Sequence, residues 1–435
     1  MLACSEPSFH PDSFDGDYGF KSDDEINEWE VELGKSLFFD RILSGNKNIS
    51  CATCHHPSVA SADALSLSIG EGGKGIGKDR VDGEGDEASI ILVPRNSPAL
   101  FNLGSSHITA LFHDGRVEMD DDYPNGFRSP ARSALPVGLN DKLAVQAMFP
   151  VTSVVEMAGV GNENEIGRHA ENRDRFHVWH EIADRVRYIG QYALAFKQVY
   201  GIGQEEIEFI DIANAIGAFV DVDFRSINSP FDRYINGDES ALSDDQLEGL
   251  TLFYGKAKCA SCHAGVFQMD NAYHSIGLPQ VGPGKRGGWN IPVRYFSDFG
   301  RELVTGNPDD RYKFKTPSLR NVELTAPYGH DGAYTELEDI VRHHLEPEKM
   351  MMAYDCKTAL SVPYRKLIKN FDCKLMEDEL QRKEILASSD LPAVSLSEDE
   401  IAALLAFLAA LTDESMRDRN DQVPESVLSG LPVND

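Results

Sequence analysis

The chain has 435 residues, 41% of them hydrophobic, with 71 acidic against 41 basic side chains and a formal net charge of −30. That length can bury a sizeable core and suggests two or three domains. The acidic balance makes nucleic acid and anionic membrane surfaces poor partners and suits a basic protein, and no stretch approaches the roughly 18 uninterrupted apolar residues that a spanning helix needs.

Residues 1–24 read as an N-terminal tail. Within it Cys4 follows Leu2-Ala3, a pattern similar to the end of a bacterial lipoprotein signal, so a lipid anchor at Cys4 is an expectation, although the charged and apolar regions that normally precede such a cysteine are absent. From Glu25 to Asp40, Ile26, Trp29, Leu33 and Leu37 recur at helical intervals and predict an amphipathic helix leading into Cys51-Ala52-Thr53-Cys54-His55. Gly70 to Glu87 lacks the Walker spacing and strand–helix context of a phosphate cradle and reads as a mobile loop. Asp120 to Leu139 and Val281 to Asp309, with Pro, Gly and charges and little periodicity, also read as loops. A helix from Ile207 to Phe224 ends ahead of Ser229-Pro230, which places a boundary between a first domain, 25–225, and a second, 226–435. There the organisation repeats. Ser243 and Gln246 form a capping-box pattern, and Leu247, Leu250, Leu252 and Phe253 supply an apolar face before Cys259-Ala260-Ser261-Cys262-His263. Ser397 with Glu400 caps a last helix through Ile401, Leu404, Leu405, Leu408 and Leu411, whose broad stripe suits a buried helix.

C-x-x-C-H, present twice, is the attachment pattern of c-type haem. Two thiols three residues apart on a turning helix can each add to one vinyl group, while the next residue sets an imidazole beneath the iron. The chain is therefore expected to hold two haem c groups, one on Cys51, Cys54 and His55 and one on Cys259, Cys262 and His263. The plainer readings of C-x-x-C are half a zinc site or a thioredoxin-like pair. Zinc needs further paired ligands, and a redox pair would not place His after both copies. Outside the motifs, Cys356 and Cys373 can close a loop in an oxidising compartment or remain free.

Several separated blocks carry a family resemblance. Leu33-Gly34-Lys35-Ser36-Leu37-Phe38-Phe39-Asp40, Pro94-Arg95-Asn96-Ser97-Pro98, Phe112-His113-Asp114-Gly115-Arg116, Phe231-Asp232-Arg233-Tyr234, Thr316-Pro317-Ser318-Leu319-Arg320-Asn321 and His330-Asp331-Gly332, with both haem motifs, resemble the bacterial dihaem cytochrome c peroxidase and MauG superfamily in matching order from about Glu25 to Thr412. The resemblance implies a mainly α fold of two cytochrome c-like haem domains with long loops, located in the periplasm. It assigns His55 to a peroxide-reactive iron and His263 to an electron-transfer iron. In the same pattern Gln146 and Glu156 would face the first haem. Glu156 is the candidate acid/base, because cleaving a bound peroxide needs a group that takes a proton from the inner oxygen and returns one to the outer. Gln146, which does not titrate, would hydrogen-bond beside it.

Three departures and one further site follow from the same comparison. Peroxidase members carry a His that blocks the first iron at rest, but no His lies between His56 and His107, so the first iron is expected to be open to peroxide without prior reduction. Where the family has Met or Tyr as sixth ligand of the second iron, the count falls on His344, with His343 and Met350 to Met352 as competitors; bis-His ligation lowers the potential relative to His/Met. His113 stands where an aromatic bridge, Trp, commonly lies between the haems. The family also binds calcium between its domains, and the matching positions are Asn96, Thr325 and Pro327, hard oxygen donors suited to that ion.

Three functions compete. The first is a peroxidase reducing hydrogen peroxide with electrons from a small cytochrome c or cupredoxin; the second is a MauG-type oxidase that modifies residues of a partner protein through high-valent iron. The third, a plain electron carrier, would have both irons fully ligated and no acid/base group. A monomer or a homodimer fits each. The open first site favours the second reading and the missing Trp disfavours it, which leaves the peroxidase first.

Overall fold

The computed structural model describes residues 14–83, 92–123, 125–285, 297–356 and 373–433. Cys4 lies outside them, and so does the expected lipid anchor. The chain is mainly α. Strands are few and very short: Gly73–Lys74 pairs antiparallel with Val81–Asp82, Ala110–Leu111, Val117–Met119 and Phe127–Arg128 form a three-stranded antiparallel ribbon, and Tyr273–His274 pairs with Phe314–Lys315. No described helix is long and apolar enough to cross a membrane.

The buried side chains fall into two large clusters. In the first, the Glu28–Phe39 helix, opened by the Asn27 side chain, crosses the Phe209–Asp223 helix. Leu33, Leu37 and Phe38 meet Ile212, Ile216 and Phe219 there, with the Phe38 and Phe219 rings 5.1 Å apart. Each such side chain contributes about 1.5–3 kcal/mol by leaving water. Gly34 makes the crossing close: a β-carbon on it would come 1.9 Å from the Ala215 carbonyl oxygen. In the second cluster the Asp244–Tyr254 helix crosses the Glu398–Ala409 helix, with Phe253 and Phe407 5.1 Å apart. Gly249 repeats the role of Gly34, since its β-carbon would lie 1.9 Å from the Ala403 carbonyl oxygen. In each half, then, the helix that precedes a C-x-x-C-H motif packs through a glycine onto a later helix.

Both capping boxes expected from the sequence form, Ser243 with Gln246 and Ser397 with Glu400. The described part of the Gly70 region holds a short hairpin around buried Arg80, which donates to the Ile69, Gly70 and Gly75 carbonyls. A guanidinium that satisfies three carbonyls removes the orphan acceptors a buried loop would otherwise carry. The Asp120–Leu139 and Val281–Asp309 stretches also contain ordered pieces, the Phe127–Arg128 strand and the Glu302–Thr305 helix.

The halves interlock through buried charge. Arg95 forks onto Asp298 at 2.6 and 2.9 Å and reaches Asp114 at 2.7 Å, while Arg301 binds Glu118 at 2.6 Å and the Gly115 carbonyl at 2.8 Å. Terminal segments cross the expected boundary. Tyr18 donates to Asp232 at 2.9 Å, Met416 and Val427 join the first cluster, and Ser429 donates to Asp40 at 2.8 Å.

Candidate functional site

Ser50 and Thr53 close one helical turn, Cys51–Cys54, and the His55 amide donates to the Cys51 carbonyl. Ala60 and Ser61 then adopt the left-handed region, which turns the Ser61 carbonyl back beneath the imidazole. His55 Nδ1 lies 2.9 Å from that carbonyl oxygen and donates to it, and the Pro98 carbonyl also bonds the ring. The second motif reaches the same result by another route. Lys258 is left-handed, Cys259–Ser261 form a 3-10 turn, and His263 Nδ1 donates to the Gln268 carbonyl at 3.0 Å. Burial lowers the pKa of both imidazoles, His263 to about 4, with His344 adding to the effect. Neutral imidazole is the form a metal takes.

His344, on the Leu337–Leu345 helix, faces His263 with ring centroids 6.2 Å apart. The ring planes are 59° apart, and the two imidazoles would be the pair to hold one iron. His344 Nδ1 donates to the Ile340 carbonyl at 2.8 Å. His343 differs: Tyr334 Oη at 3.0 Å and the Ile276 carbonyl at 2.8 Å occupy both of its nitrogens. Met351 packs into the second core.

The four motif cysteines are free thiols, and burial pushes Cys51, Cys54 and Cys259 up to about 12. Paired thiols, each followed by an imidazole whose Nδ1 is held by a backbone carbonyl, fit two covalently held haems. Zinc fits less well. Among the described residues Asp270 and His274 approach Cys262, but no such group of ligands gathers at Cys51 and Cys54. Cys356 and Cys373 form a disulfide.

Glu156 sits half-buried on a π-turn, Val154–Ala158. The turn is clamped from behind: Glu71 donates its amide to the Val155 carbonyl at 3.1 Å, Gly45 to that of Met157 at 2.8 Å, and a β-carbon on Gly70 would come 1.8 Å from the Val155 oxygen. The Glu156 charge adds, after burial and Asp63, to the rise of the Cys54 thiol. Gln146 is half-buried on the Lys142–Ala147 helix, capped by Asp141. Asp63 is the residue that sequence reasoning missed. It is buried beside Cys54, and burial raises it to about 6, yet nothing in Ser61-Ala62-Asp63-Ala64 signals a site.

Between the motifs lies the charge cluster of Arg95. Against their own burial, Arg116 and Arg95 hold Asp114, and Arg95 holds Asp298, below the ordinary carboxylate range. His113 Nε2 donates to the Asn96 carbonyl at 3.0 Å; burial, then Arg95, brings it to about 4. His330 stacks on Phe314 at 3.9 Å, and neither of its ring nitrogens has a hydrogen-bond partner among the described residues. Orphaned buried donors are costly, and a cofactor's polar edge is one group that would complete them. Of the calcium candidates, Asn96 donates its amide to the His330 carbonyl at 2.9 Å and its side chain to that of Leu65 at 2.8 Å, while Pro327 is buried and Thr325 half-buried.

A family model described as di-haem cytochrome c peroxidase matches residues 28–240. The chain is 31% identical over 320 residues to the methylamine utilization protein MauG of Methylorubrum extorquens, covering 73% of this chain and 69% of that one. It is 33% identical over 312 residues to the cytochrome c551 peroxidase of Nitrosomonas europaea, covering 72% and 71%. Among solved structures, a MauG-like protein associated with microbial copper homeostasis aligns with a TM-score of 0.60 at 25% identity, over 94% of this chain and 96% of that one. The diheme peroxidase BthA of Burkholderia thailandensis aligns with a TM-score of 0.58 at 19% identity over 89% and 87%, a likeness of fold.

Proposed function

The chain belongs to the di-haem cytochrome c peroxidase family, and from that premise we propose that it reduces hydrogen peroxide to water with electrons from a small redox protein, the first motif serving the peroxide and the second relaying electrons. The observation that carries this reading is the inequality of the two imidazoles. His263 is faced by His344 at 6.2 Å, whereas His55 has no imidazole facing it among the described residues and has Glu156 nearby instead. Haem, when bound, supplies an iron that takes peroxide at one site and passes electrons at the other. The residues supply the proton path. Glu156 takes the proton from the inner peroxide oxygen and returns one to the outer, and Gln146 orients the peroxide by its amide. Asp63, with a pKa near neutrality, is a second proton store beside Cys54.

The remaining parts of the reading follow from the same residues. Cys356–Cys373 and covalent haem fit the periplasm. Asn96, Thr325 and Pro327 would hold calcium where the two halves meet. The 25–225 and 226–435 segments would be the peroxidatic and electron-transfer domains, each built on one of the two glycine crossings. The electron donor is a basic protein, drawn by the acidic charge and released by salt.

A second reading is favoured by the open first site: a MauG-type oxidase that uses peroxide to modify residues of a partner protein. Half-buried His113, where the resemblance would put a bridging Trp, argues for the peroxidase. Stopped-flow mixing of the diferric protein with peroxide, with and without reduced cytochrome, separates them. Rapid oxidation of the cytochrome supports the peroxidase; a long-lived two-electron-oxidised state that ignores cytochrome supports the oxidase. Failure of the diferric protein to react would overturn the open first site.

A further inference from the structure

A second cluster of ligating side chains lies away from both motifs. The Glu165–Glu171 and Arg175–Arg187 helices pack together through a tight turn, and His169, Asp174 and His177 converge there. Their ligand atoms all lie within 4.8 Å of one another. His177 Nδ1 is 2.6 Å and His169 Nδ1 3.6 Å from the same oxygen, Asp174 Oδ2, and the two imidazoles stack with centroids 4.9 Å apart and planes 12° from parallel.

Helix capping explains only part of this. Asp174 caps the second helix through Oδ1, which accepts the His177 amide at 3.3 Å. The other oxygen is therefore left for the imidazoles; the turn brings His169 close, through the Asp174 amide donating to the His169 carbonyl at 2.9 Å, but does not require its imidazole to face that oxygen. We propose that His169, Asp174 and His177 bind a borderline divalent transition-metal ion, zinc or copper(II), at a site independent of the haems. Two imidazoles and one carboxylate are the donors such ions prefer over calcium or magnesium, and copper(II) should bind the tighter of the two. All three side chains keep some exposure, 25%, 37% and 50%, so the ion exchanges with solvent and open coordination positions remain for water. The ion bridges two helices already joined at their turn by the Asp174 amide and the His169 carbonyl. The first of these reaches the Glu156 turn, because its cap residue Asn164 donates to the Ala158 carbonyl at 3.0 Å.

The test uses haem-loaded protein stripped of loose metal with a chelator. Zinc(II) and copper(II) are titrated separately by calorimetry, copper(II) is followed by EPR, and the thermal midpoint is read with and without ion. We expect one equivalent of each ion, a midpoint rise of a few degrees, and copper(II) signals coupled to two nitrogens. His169→Ala or His177→Ala should weaken binding at least tenfold and leave one coupled nitrogen. Asp174→Asn keeps the helix cap and so separates loss of a ligand from loss of the fold. His180→Ala, on the same helix beside Asp184, should change nothing. Unchanged affinity and nitrogen coupling in the His169→Ala/His177→Ala double variant, or no stoichiometric binding by the unaltered protein, would overturn the site.

Discussion

Cys51–Cys54 form one α-helical turn closed by Ser50 and Thr53, whereas Cys259–Ser261 form a 3-10 turn reached through left-handed Lys258. On the proximal side the two then converge, since His55 and His263 each give Nδ1 to a backbone carbonyl a few residues on. They part on the opposite side, where His344 faces His263 and the clamped π-turn of Glu156 stands near Cys54. A covalent motif thus fixes where a haem goes and which imidazole it meets first. On the proposed reading, what each haem does depends on a residue far downstream, Glu156 for the first and His344 for the second.

The largest effect on this contrast should come from Glu156→Gln. It keeps size and hydrogen bonding but cannot carry a proton, so peroxide turnover should fall about 10²–10⁴-fold, with the second site's spectrum and potential unchanged. Equal disturbance of both spectra would mean that Glu156 serves the fold and not the first site alone.

The relative placement of the two sites rests on the seam between them. Asp298→Asn leaves buried Arg95 without its forked partner, and breaking a buried pair from one side costs about 3–5 kcal/mol. Chemical denaturation should show that loss, and electron transfer between the sites should slow. A mild loss of stability with transfer unaltered would show that the seam does not set the contrast.

The helix crossings were largely legible, because capping boxes at Ser243 and Ser397 and apolar periodicity are local signals. The haem motifs were legible for the same reason. The seam was not: Arg95 and Asp298 lie 203 positions apart, and each alone reads as an ordinary surface charge. Nor does spacing separate His343 from His344. They differ in which carbonyls and hydroxyls fold against their rings, and that depends on Tyr334 and Ile276. The hairpin in the Gly70 region was not legible either, because it is built around a single arginine, Arg80.

His344→Met sharpens the comparison from the second side. Thioether donates less than imidazole to ferric iron, so the potential of the second haem should rise by on the order of 100 mV, within the wide range axial ligands command. Potentiometry and low-temperature EPR would read this. A bis-His signal that survives in His344→Ala would pass the role to another residue.

The smallest expected effect belongs to the seam's titrating groups. Burial lowers His113 to about 4 and His330 to about 3 from the ordinary 6.5, so below pH 6.5 the unfolded chain takes up two protons that the folded chain refuses. Asp331 works the other way. Burial raises it to about 8 from 3.8, so the folded chain keeps a proton the unfolded chain has lost, and stability declines as pH rises toward 8. Below pH 6.5 the two histidines outweigh the one carboxyl, and above it only the carboxyl acts. Their joint contribution should therefore peak near pH 6.5 and fall by about 1 kcal/mol toward pH 5. Denaturation midpoints at pH 5, 6.5 and 8 would trace this dome. His330→Asn should flatten its acid side, and an acid side equally steep in that variant would move the pH sensitivity from the seam to the haem sites themselves.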